Sequence, residues 1–488
     1  MAFYIYDLTF LVLFSLAVGI FLWIKRKNLQ RDGIMYLYRT KIGVKFINYV
    51  GKKYKKAISI FAFLGIVCGY ILMLSMVYFL YYLLKVYLFS PELVRAIKIP
   101  PIMPLIPYLP SLFKVSFLPP FYFTYWILSI AIIAIFHEFA HGIVAKRYGV
   151  KIKTTGFGFL GPFLAAFVEP DDKQMQKKSK YQQMSILSAG VFTNLILAIL
   201  FFLLLGGFFN MTYHPAGAIF NTYAAGMVSI GTISSIDGVN ITNASNETLL
   251  KTINENNFTN ELILGTNDNQ LNFTKITAGN KTYYITIENL EEQLKTENET
   301  IILFEDMPAI KAGLRGVITQ INDKQIKTTS DVSETLLNLS PEETITIITK
   351  DGEETLTYEI KLAEDPNEKG KPMIGIGYSG TKRTGFMGKI IDFFNFFKDP
   401  STNYEPKFNP ELVLFIYNLI WWVALINLSV ALVNMWPVAI FDGGRFFLLT
   451  IWGITGSEKI AQKVFKIITY LILFAIFMLM VGWFIAIF

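Results

Sequence analysis

Six long apolar runs are the feature that most constrains how this chain of 488 residues can fold. A helix that crosses a membrane needs about 20 mostly apolar residues. The apolar runs cover residues 8–24, 58–84, 121–145, 184–209, 412–440 and 467–488. We therefore predict a polytopic α-helical membrane protein with about six spans. The first run has no small-residue cleavage site and a second run follows it, so we interpret it as an anchor.

The composition excludes several other classes of protein. Of all residues 53% are hydrophobic and 17% are charged, whereas an average soluble protein is about 25% charged. An ordinary soluble protein and a disordered one are both excluded. The net charge of +7 is modest and lies beside the apolar runs, so we expect no nucleic-acid partner. The single cysteine rules out an internal disulfide and a four-cysteine zinc site.

The distribution of Lys and Arg predicts the orientation in the membrane. The segments 25–56, 146–180 and 445–466 are basic, and all three fall on one side of a six-span topology. We expect that side to be cytoplasmic, so both termini and residues 210–410 are extracytoplasmic in a multi-pass cell-membrane protein. Asn-x-Ser/Thr sites crowd residues 210–410 and favour the same orientation, although an Asn- and Thr-rich segment also forms such sites by chance.

The loop at 91–120 carries eight prolines among large apolar residues. Prolines at this density oppose a helix, and the apolar residues oppose free solvation. Non-helical backbone at membrane depth persists only against protein or a water-filled cavity. We expect a non-helical loop folded onto the membrane surface.

Residues 210–380 lose the apolar runs and gain strand-like alternation. The block Gly-Thr-Ile-Ser-Ser-Ile-Asp-Gly at 231–238 corresponds to Gly-Val-Ile-Thr-Gln-Ile-Asn-Asp at 316–323, which indicates two copies of one small unit. The second copy, at 305–379, resembles a PDZ domain of the bacterial protease type, and the first, at 214–290, resembles it less fully. PDZ domains bind extended peptides by strand addition. The alternative is a β-rich spacer.

The segment 386–397 has apolar residues at helical spacing with charged residues on the other side. This pattern predicts an amphipathic helix in the membrane interface. A helix packed on the soluble region is the alternative.

The third apolar run ends with the pattern His137-Glu138-x-x-His141. Ionisable residues inside a span are costly and mark functional sites. On a helix the two histidines lie one turn apart on the same face, and imidazoles at this spacing can bind one Zn²⁺ while Glu138 acts on a bound water. The alternative is a pair of helix histidines capped by a carboxylate.

A catalytic zinc needs a third protein ligand. His214 follows the fourth run on the predicted external side, far from His137, and is a poor candidate. Asp442 follows the fifth run at about the predicted depth of His137. Pro437 breaks that helix, and the Gly-Gly pair after Asp442 frees the backbone, so the carboxylate can turn toward a metal. The alternative for Asp442 is a helix N-cap or a solvated loop acid.

The His-Glu-x-x-His pattern and the later Asn434-x-x-Pro-x-x-x-x-Asp-Gly-Gly resemble the site-2 protease family of intramembrane zinc metalloproteases. The sequence Gly-Phe-Gly-Phe-Leu-Gly-Pro at 156–162 is similar to the family's membrane-associated hairpin, and Gly-Val-Phe-Thr-Asn at 190–194 to its Gly-x-x-x-Asn span. The similarity covers 121–209 and 412–450, together with the PDZ-like region between them, and does not extend specifically to the first two spans or the last.

Two residues depart from the family pattern. Val191 stands where many members have Pro, and Phe441 stands where Leu is common. Both replacements are conservative, so the metal site stays as predicted.

The resemblance implies that His137, His141 and Asp442 hold one Zn²⁺ per chain. It implies that Glu138 is the general base and then the proton donor to the leaving amine. The zinc would activate a water and polarise the scissile carbonyl group.

Two amides in apolar runs, Asn194 and Asn434, are candidates for binding the substrate backbone or the developing oxyanion. The alternative for both is hydrogen bonding between helices. The hairpin at 156–168 is a candidate for presenting an edge strand to an unwound substrate helix.

We predict that the protein is an intramembrane zinc endopeptidase that cleaves transmembrane segments of other proteins near the cytoplasmic leaflet. The expected partners are the lipid bilayer and single-pass membrane proteins, already cut once outside the membrane, with the PDZ units gating access. The rival hypotheses are a non-proteolytic receptor or chaperone that binds helices, and a divalent-metal transporter. A transporter needs polar residues along several spans, whereas here they cluster at one depth.

The predicted organisation has seven parts. These are two N-terminal spans with a basic and a Pro-rich loop at 1–120, the catalytic membrane core at 121–209, PDZ-like domains at 210–300 and 301–380, an interfacial helix and linker at 381–410, the second catalytic helix at 411–450, and a C-terminal span at 451–488.

Overall fold

The computed structural model describes most of the chain. The described residues are 2–33, 35–90, 94–95, 100–113, 118–160, 163–256, 258, 262–264, 271–296, 298–366, 368–378 and 396–487. The chain divides into two compact units. The membrane unit comprises Met1–Phe208 and Glu411–Phe488, and the β-rich unit comprises Phe209–Pro410.

Among the described residues, six helices are long and apolar enough to cross a membrane, which confirms the predicted architecture of about six spans with an inserted β-rich region. They are α1 (Ala2–Lys25), α3 (Lys55–Phe89), α5 (Phe123–Arg147), α7 (Lys180–Thr212), α12 (Pro410–Asn434) and α14 (Glu458–Ile487). The fifth span ends at Asn434 and not near residue 440, because residues 435–441, which include Pro437, form turns and bends.

Shorter helices connect the spans of the membrane unit. They are α2 (Val44–Lys53), α4 (Leu109–Leu112), α6 (Asp172–Gln176) and α13 (Asp442–Thr455). The single turn α4 corrects the expectation that the Pro-rich loop has no helix. Pro110 sits at the start of this turn, where a missing N–H costs nothing.

A four-stranded antiparallel sheet accompanies the helices of the membrane unit. Its strands, in spatial order, are β1 (Leu29–Asp32), β2 (Met35–Thr40), β3 (Ile152–Leu160) and β4 (Phe163–Pro170). The hairpin β3–β4 is the one predicted at 156–168, whereas β1 and β2 were not predicted. Strand β4 is the outer strand next to α5, and β2 covers the other edge of β3.

The N-terminus of α5 is capped by an acid from another span. Asp7 of α1 is 1% exposed. Its two oxygens accept hydrogen bonds from the N–H groups of Phe123 and Thr124, both at 2.8 Å, and from the hydroxyls of Thr124 and Tyr108. The first N–H groups of a helix have no partner inside it, so Asp7 supplies what α5 lacks and fixes α1 against its start.

The described part of the Pro-rich loop packs on this same end of the unit. The backbone N–H of Tyr108 donates to the Phe121 carbonyl, and the indole N–H of Trp422 donates to the Pro120 carbonyl at 3.1 Å. The loop thus lies against protein, as non-helical backbone in an apolar setting requires.

The β-rich unit contains two larger sheets. The strands of the first are β7 (Ala225–Ser229), β8 (Ile233–Ile236), β9 (Val239–Asn240), β10 (Leu262–Leu264), β11 (Leu271–Ala278), β12 (Lys281–Thr286) and β13 (Thr300–Glu305). The strands of the second are β5 (Tyr213–Ile219), β14 (Val317–Ile321), β15 (Lys324–Gln325), β16 (Thr344–Asp351), β17 (Glu354–Lys361) and β21 (Thr402–Pro406). The spatial order in the first sheet is β7–β13–β12–β11–β8–β9, with β10 paired to β11, and in the second it is β17–β16–β14–β5–β21, with β15 paired to β14.

The remaining elements of this unit are short. Two strand pairs join β6 (Thr222–Tyr223) with β20 (Ile376–Gly377), and β18 (Ala363–Asp365) with β19 (Glu368–Met373). The helices are α8 (Asn246–Glu255), α9 (Ile287–Leu294), α10 (Pro308–Lys311) and α11 (Thr329–Leu337). Each larger sheet has its own apolar core, around Ile236 in the first and Ile318 in the second.

The predicted repeat corresponds to two similar hairpins, each followed by a helix. The pairs β8–β9 and β14–β15 are joined by turns that begin at Asp237 and Asn322, both with positive φ, and α8 and α11 follow. The boundary between the copies differs from the predicted 300/301, because β13 pairs with β7 and β12 of the first sheet. That both copies are PDZ domains stays a prediction. Most of the predicted helix at 386–397, namely residues 386–395, lies outside the described residues.

Candidate metal centre

Two imidazoles on α5 face the same side of the helix, as the spacing predicted. His137 is 8% exposed, and the Nε2 atoms of His137 and His141 are 3.0 Å apart. The Nδ1 atom of His141 lies 2.6 Å from the carbonyl oxygen of Ile186 on α7. A carbonyl can only accept, so Nδ1 of His141 carries the proton and Nε2 presents its lone pair.

His137 is held on its far side in a similar way. Its Nδ1 atom lies 3.0 Å from the side-chain amide of Asn194, which is fully buried on α7. A metal on Nε2 requires the proton on Nδ1, and an amide turned by 180° offers its oxygen to accept that proton. Both rings therefore have a partner on α7 that can fix the tautomer needed for metal binding.

Asp442 is brought to the histidines by a tight turn and a new helix. The chain leaves α12 at Asn434, and α13 begins with Asp442. A Cβ on Gly443 would lie 2.4 Å from the backbone of Met435, and one on Gly444 would lie 2.2 Å from the Val438 carbonyl oxygen. The glycine pair is thus required by close backbone packing. This differs from the predicted loosening of the chain, since both glycines are buried inside a helix.

The three predicted ligands form a compact triangle. The Oδ2 atom of Asp442 lies 3.4 Å from Nε2 of His137 and 3.3 Å from Nε2 of His141. A tetrahedral zinc with bonds of about 2.0–2.1 Å separates its ligand atoms by about 3.3 Å. Two neutral nitrogens and one carboxylate are a zinc donor set, so the geometry and the chemistry of this cluster fit the ion.

The Gly190 backbone of α7 lies directly against both imidazoles. A Cβ at this position would lie 2.4 Å from Nε2 of His141 and 2.7 Å from Nε2 of His137. Any side chain here would occupy the space beside the ligand atoms. The glycine of the Gly-x-x-x-Asn pattern therefore keeps that space open, one helical turn from Asn194.

The triangle opens into a cavity of about 410 Å³. Its charged lining residues are Glu138, Asp172, Asp442 and Arg445. Three carboxylates against one guanidinium leave a formal charge of −2, which a dication offsets. The cavity lies wholly within the membrane unit and has room for an open coordination position, as a catalytic zinc requires.

Glu138 is tied to the outer strand of the membrane sheet. Its Oε2 atom accepts a hydrogen bond of 2.9 Å from the backbone N–H of Val168 on β4. Val168 lies opposite Thr155 of β3, yet its N–H points away from β3 toward α5. This bond orients the carboxylate and leaves its other oxygen for a proton.

A carboxylate farther along β4 is also stabilised in its charged form. The hydroxyl of Thr154 donates to Glu169 at 2.7 Å and the guanidinium of Arg39 at 3.0 Å. These contacts hold the pKa of Glu169 below its usual range despite partial burial. They tie β2, β3 and β4 together beside the metal cavity.

The other predicted site residues lie in different places relative to the metal triangle. Asn434 lines the cavity together with the metal triangle. Asn194 contacts His137 instead, which is the alternative of hydrogen bonding between helices. His214 is exposed on β5 and does not belong to the cluster. The predicted contacts of both amides with substrate stay predictions.

Comparison with known proteins adds an independent finding. The sequence profile of peptidase family M50 matches residues 125–480, which is more than half of the chain. The chain belongs to peptidase family M50. M50 peptidases are zinc-dependent metalloendopeptidases, and in this M50 chain the matched region contains the complete cluster of His137, His141 and Asp442.

A curated relative is an uncharacterized protein of Methanocaldococcus jannaschii. It is 29% identical over 195 residues, which are 37% of this chain and 48% of that protein. The M50 chain thus spans about half the length of the relative that it matches.

Two contacts of the centre, and the cap at the other end of α5, were missed from the sequence. The Val168 N–H that holds Glu138 gives no sequence signal, because a backbone group is the same at every residue. Arg445 was counted only as a basic residue that sets orientation, although its place three residues after Asp442 puts both on one helix face. Asp7, which caps the start of α5, did have a signal, as an acid directly before the first apolar run.

Proposed function

We propose that this chain is an intramembrane zinc endopeptidase that cleaves transmembrane segments of other membrane proteins. The observation that carries the proposal is the union of a metal-binding triangle with Glu138 in one cavity of the membrane unit. Membership of family M50 supports it. A receptor that only binds helices has no need of a carboxylate held beside three metal ligands.

The residues take distinct roles in this mechanism. His137, His141 and Asp442 would hold the zinc, which supplies an activated water and a polarised carbonyl group when bound. Glu138 takes a proton from the water and delivers it to the nitrogen of the leaving amine. The bond from Val168 keeps Glu138 in place while it does so.

We infer that the substrate pairs with strand β4. No described strand pairs with its outer edge, and the N–H of Val168 shows that alternate backbone groups point outward there. A peptide bond in a helix is hidden, so an unwound substrate segment that pairs with this edge would be presented beside Glu138.

The orientation and the external gate belong to the same proposal. The basic segments favour a cytoplasmic position for the metal end of α5. The β-rich unit would then be extracytoplasmic. If its two hairpin-and-helix copies are PDZ domains, they would select substrates already cut once outside the membrane by excluding bulky ectodomains.

The decisive experiment uses membranes that contain a tagged single-span test protein. We expect the wild type to cut it and to hold about one zinc per chain. Glu138→Gln should keep the zinc and lose cleavage by a factor of about 1,000 or more, because the proton transfer is lost.

The matched control is Glu458→Gln, an exposed acid at the start of α14, which should cut like the wild type. Cleavage that persists in Glu138→Gln would refute the role of Glu138. Absence of zinc from the wild type would refute the metal centre and favour the receptor hypothesis.

A further inference from the structure

Arg445 is the single cationic side chain among the residues that line the metal cavity. It lies on α13, one turn after Asp442, so both side chains project from the same helix face. The catalytic roles proposed above leave this residue without a function. The lining carries a formal charge of −2 that a bound dication would bring to zero, so the guanidinium could then attract an anionic group.

The guanidinium is held in place by a neutral group. Arg445 donates from Nη2 to the Oε1 atom of Gln183 at 3.2 Å. Gln183 lies on α7 and is 6% exposed. Its amide nitrogen donates to the carbonyl oxygens of Lys178 and Gln176, at 2.9 and 3.3 Å. Because both amide donors are used on these carbonyls, the amide oxygen has to face Arg445.

Gln183 therefore fixes the position of Arg445 without forming an ion pair with it. No carboxylate of the described residues lies within ion-pair distance of it, although Asp172 lines the same cavity. A guanidinium has five N–H donors in a planar fork, and the bond to Gln183 uses one. The others remain for a group that enters the cavity.

We propose that Arg445 binds the oxygen anion formed at the cleaved peptide group, first on the scissile carbonyl and then in the carboxylate of the new chain end. This inference rests on the proposed function. During hydrolysis the water oxygen bonds to the carbonyl carbon and the C–N bond breaks. The two water protons end on the leaving nitrogen, which departs as an ammonium group, and the acyl side becomes a carboxylate.

The planar fork of an arginine matches a carboxylate with two parallel hydrogen bonds. Apolar side chains such as Val168, Met175 and Ile186 form part of the cavity wall, and a charged hydrogen bond beside them is stronger than in bulk solvent. Of the two amides predicted for this role, Asn194 is turned to His137. Arg445 supplies the positive charge that neither amide can offer.

A purely structural role makes a different prediction. If Arg445 only ties α13 to α7, its loss lowers stability and zinc affinity without changing the preference for an anion. The test therefore measures that preference directly. The probe is a labelled apolar hexapeptide with a free C-terminal carboxylate, compared with the same peptide as its C-terminal amide.

Binding of both probes is measured by fluorescence anisotropy on the zinc-loaded full chain in detergent. We expect the wild type to prefer the carboxylate form, and Arg445→Gln to reduce this preference about tenfold while keeping about one zinc. Arg445→Lys should fall between the two. Arg147→Gln is the matched control, since Arg147 bonds to Lys55 and Ser59 outside the cavity, and it should keep the full preference.

Turnover of the tagged test protein gives a second measurement. Arg445→Gln should lower kcat about 100-fold with a smaller change in KM, because the anion forms mainly in the transition state. Should Arg445→Gln fail to fold, Gln183→Leu keeps the guanidinium but removes its fixed acceptor, and the preference should fall about threefold.

The outcomes separate the two proposals. An equal preference for the carboxylate in wild type and Arg445→Gln overturns the anion site alone, even if the wild type cuts. A wild type that never cuts, but whose preference depends on Arg445, overturns the peptidase function and leaves the anion site standing.

Discussion

Each unit of the protein has a helix whose start is stabilised by an aspartate, but the two aspartates act over different distances in the chain. In the membrane unit, Asp7 of α1 caps α5, more than 100 residues away. In the β-rich unit, Asp331 accepts hydrogen bonds from the N–H groups of Lys327 and Thr328, both at 2.9 Å, at the start of its own helix. The first contact joins two spans, and the second is local.

The difference follows from the two environments. In water an open helix end can bind solvent, so a local side chain adds only a modest gain. In an apolar environment an unpaired N–H costs several kcal/mol, and the partner has to come from wherever the fold supplies one. Long-range polar contacts should therefore matter more in the membrane unit than local ones do in the β-rich unit.

The largest effect is expected from Gly190→Leu on α7, which disturbs long-range contacts in the membrane unit. A side chain at 190 would displace the imidazoles of His137 and His141, since even a Cβ would lie 2.4 Å from a ligand atom. We expect zinc affinity, measured by competition with a chelating dye, to fall more than about 1,000-fold. Gly207→Leu on the same helix meets nothing within 4 Å, and an equal loss there would contradict the argument.

The second test removes the long-range cap. Asp7→Leu leaves two buried N–H groups and two hydroxyls without their acceptor, so we expect a loss of about 4 kcal/mol in the free energy of unfolding. Asp7→Asn, which keeps one acceptor oxygen, should lose about 2 kcal/mol. Tryptophan fluorescence during denaturation in detergent measures both.

Thr9→Ala is the control for Asp7. It removes a hydroxyl that bonds only to the Ile5 carbonyl of its own helix, and it should change stability by less than about 0.5 kcal/mol. If Asp7→Leu is as mild as Thr9→Ala, long-range capping of α5 has no energetic weight.

The sequence was sufficient for features with a short period or a fixed spacing. The six spans follow from run length, and His137 and His141 follow from helical spacing inside one of them. Asp442 was placed by depth, since a fifth span had to end near the third. In each case one element, or the length of one element, carried the information.

The sequence was insufficient where two distant segments meet. The sequence around residue 7 does not reveal its contact with residue 123, and the sequence around Val168 does not reveal its contact with Glu138. The strands β1 and β2 were missed because each is short and becomes a strand only by pairing, β1 with β2 and β2 with β3. Arg445 was seen as a charge near a membrane end, because the cavity that gives it a role is assembled from separate helices.

Asn194 provides the third test, again of a long-range contact in the membrane unit. Asn194→Leu removes the partner of the His137 Nδ1 atom, so the ring loses its fixed tautomer and orientation. We expect zinc affinity to fall about 10- to 100-fold. Asn427→Ala is the control, because the Asn427 amide bonds only to the Val423 carbonyl of its own helix, and zinc affinity should not change.

The smallest effect is expected at the local contact in the β-rich unit. The N–H groups of Lys327 and Thr328 lower the pKa of Asp331 below its ordinary value of 3.8. The charged form is thus favoured by folding, and its contribution is complete above about pH 5 and disappears as the pH falls through the folded-state pKa. Asp331→Ala should therefore cost about 1 kcal/mol at pH 7.

At pH 3 the difference between wild type and Asp331→Ala should become smaller, because the wild-type carboxyl begins to take up a proton. Urea unfolding of the full chain, followed by circular dichroism of the sheets at both pH values, measures this change. Glu353→Ala removes an exposed acid at a strand turn and should show no such pH dependence. If Asp331→Ala costs as much stability as Asp7→Leu, the claim that a helix cap is worth more in an apolar environment than in water is wrong.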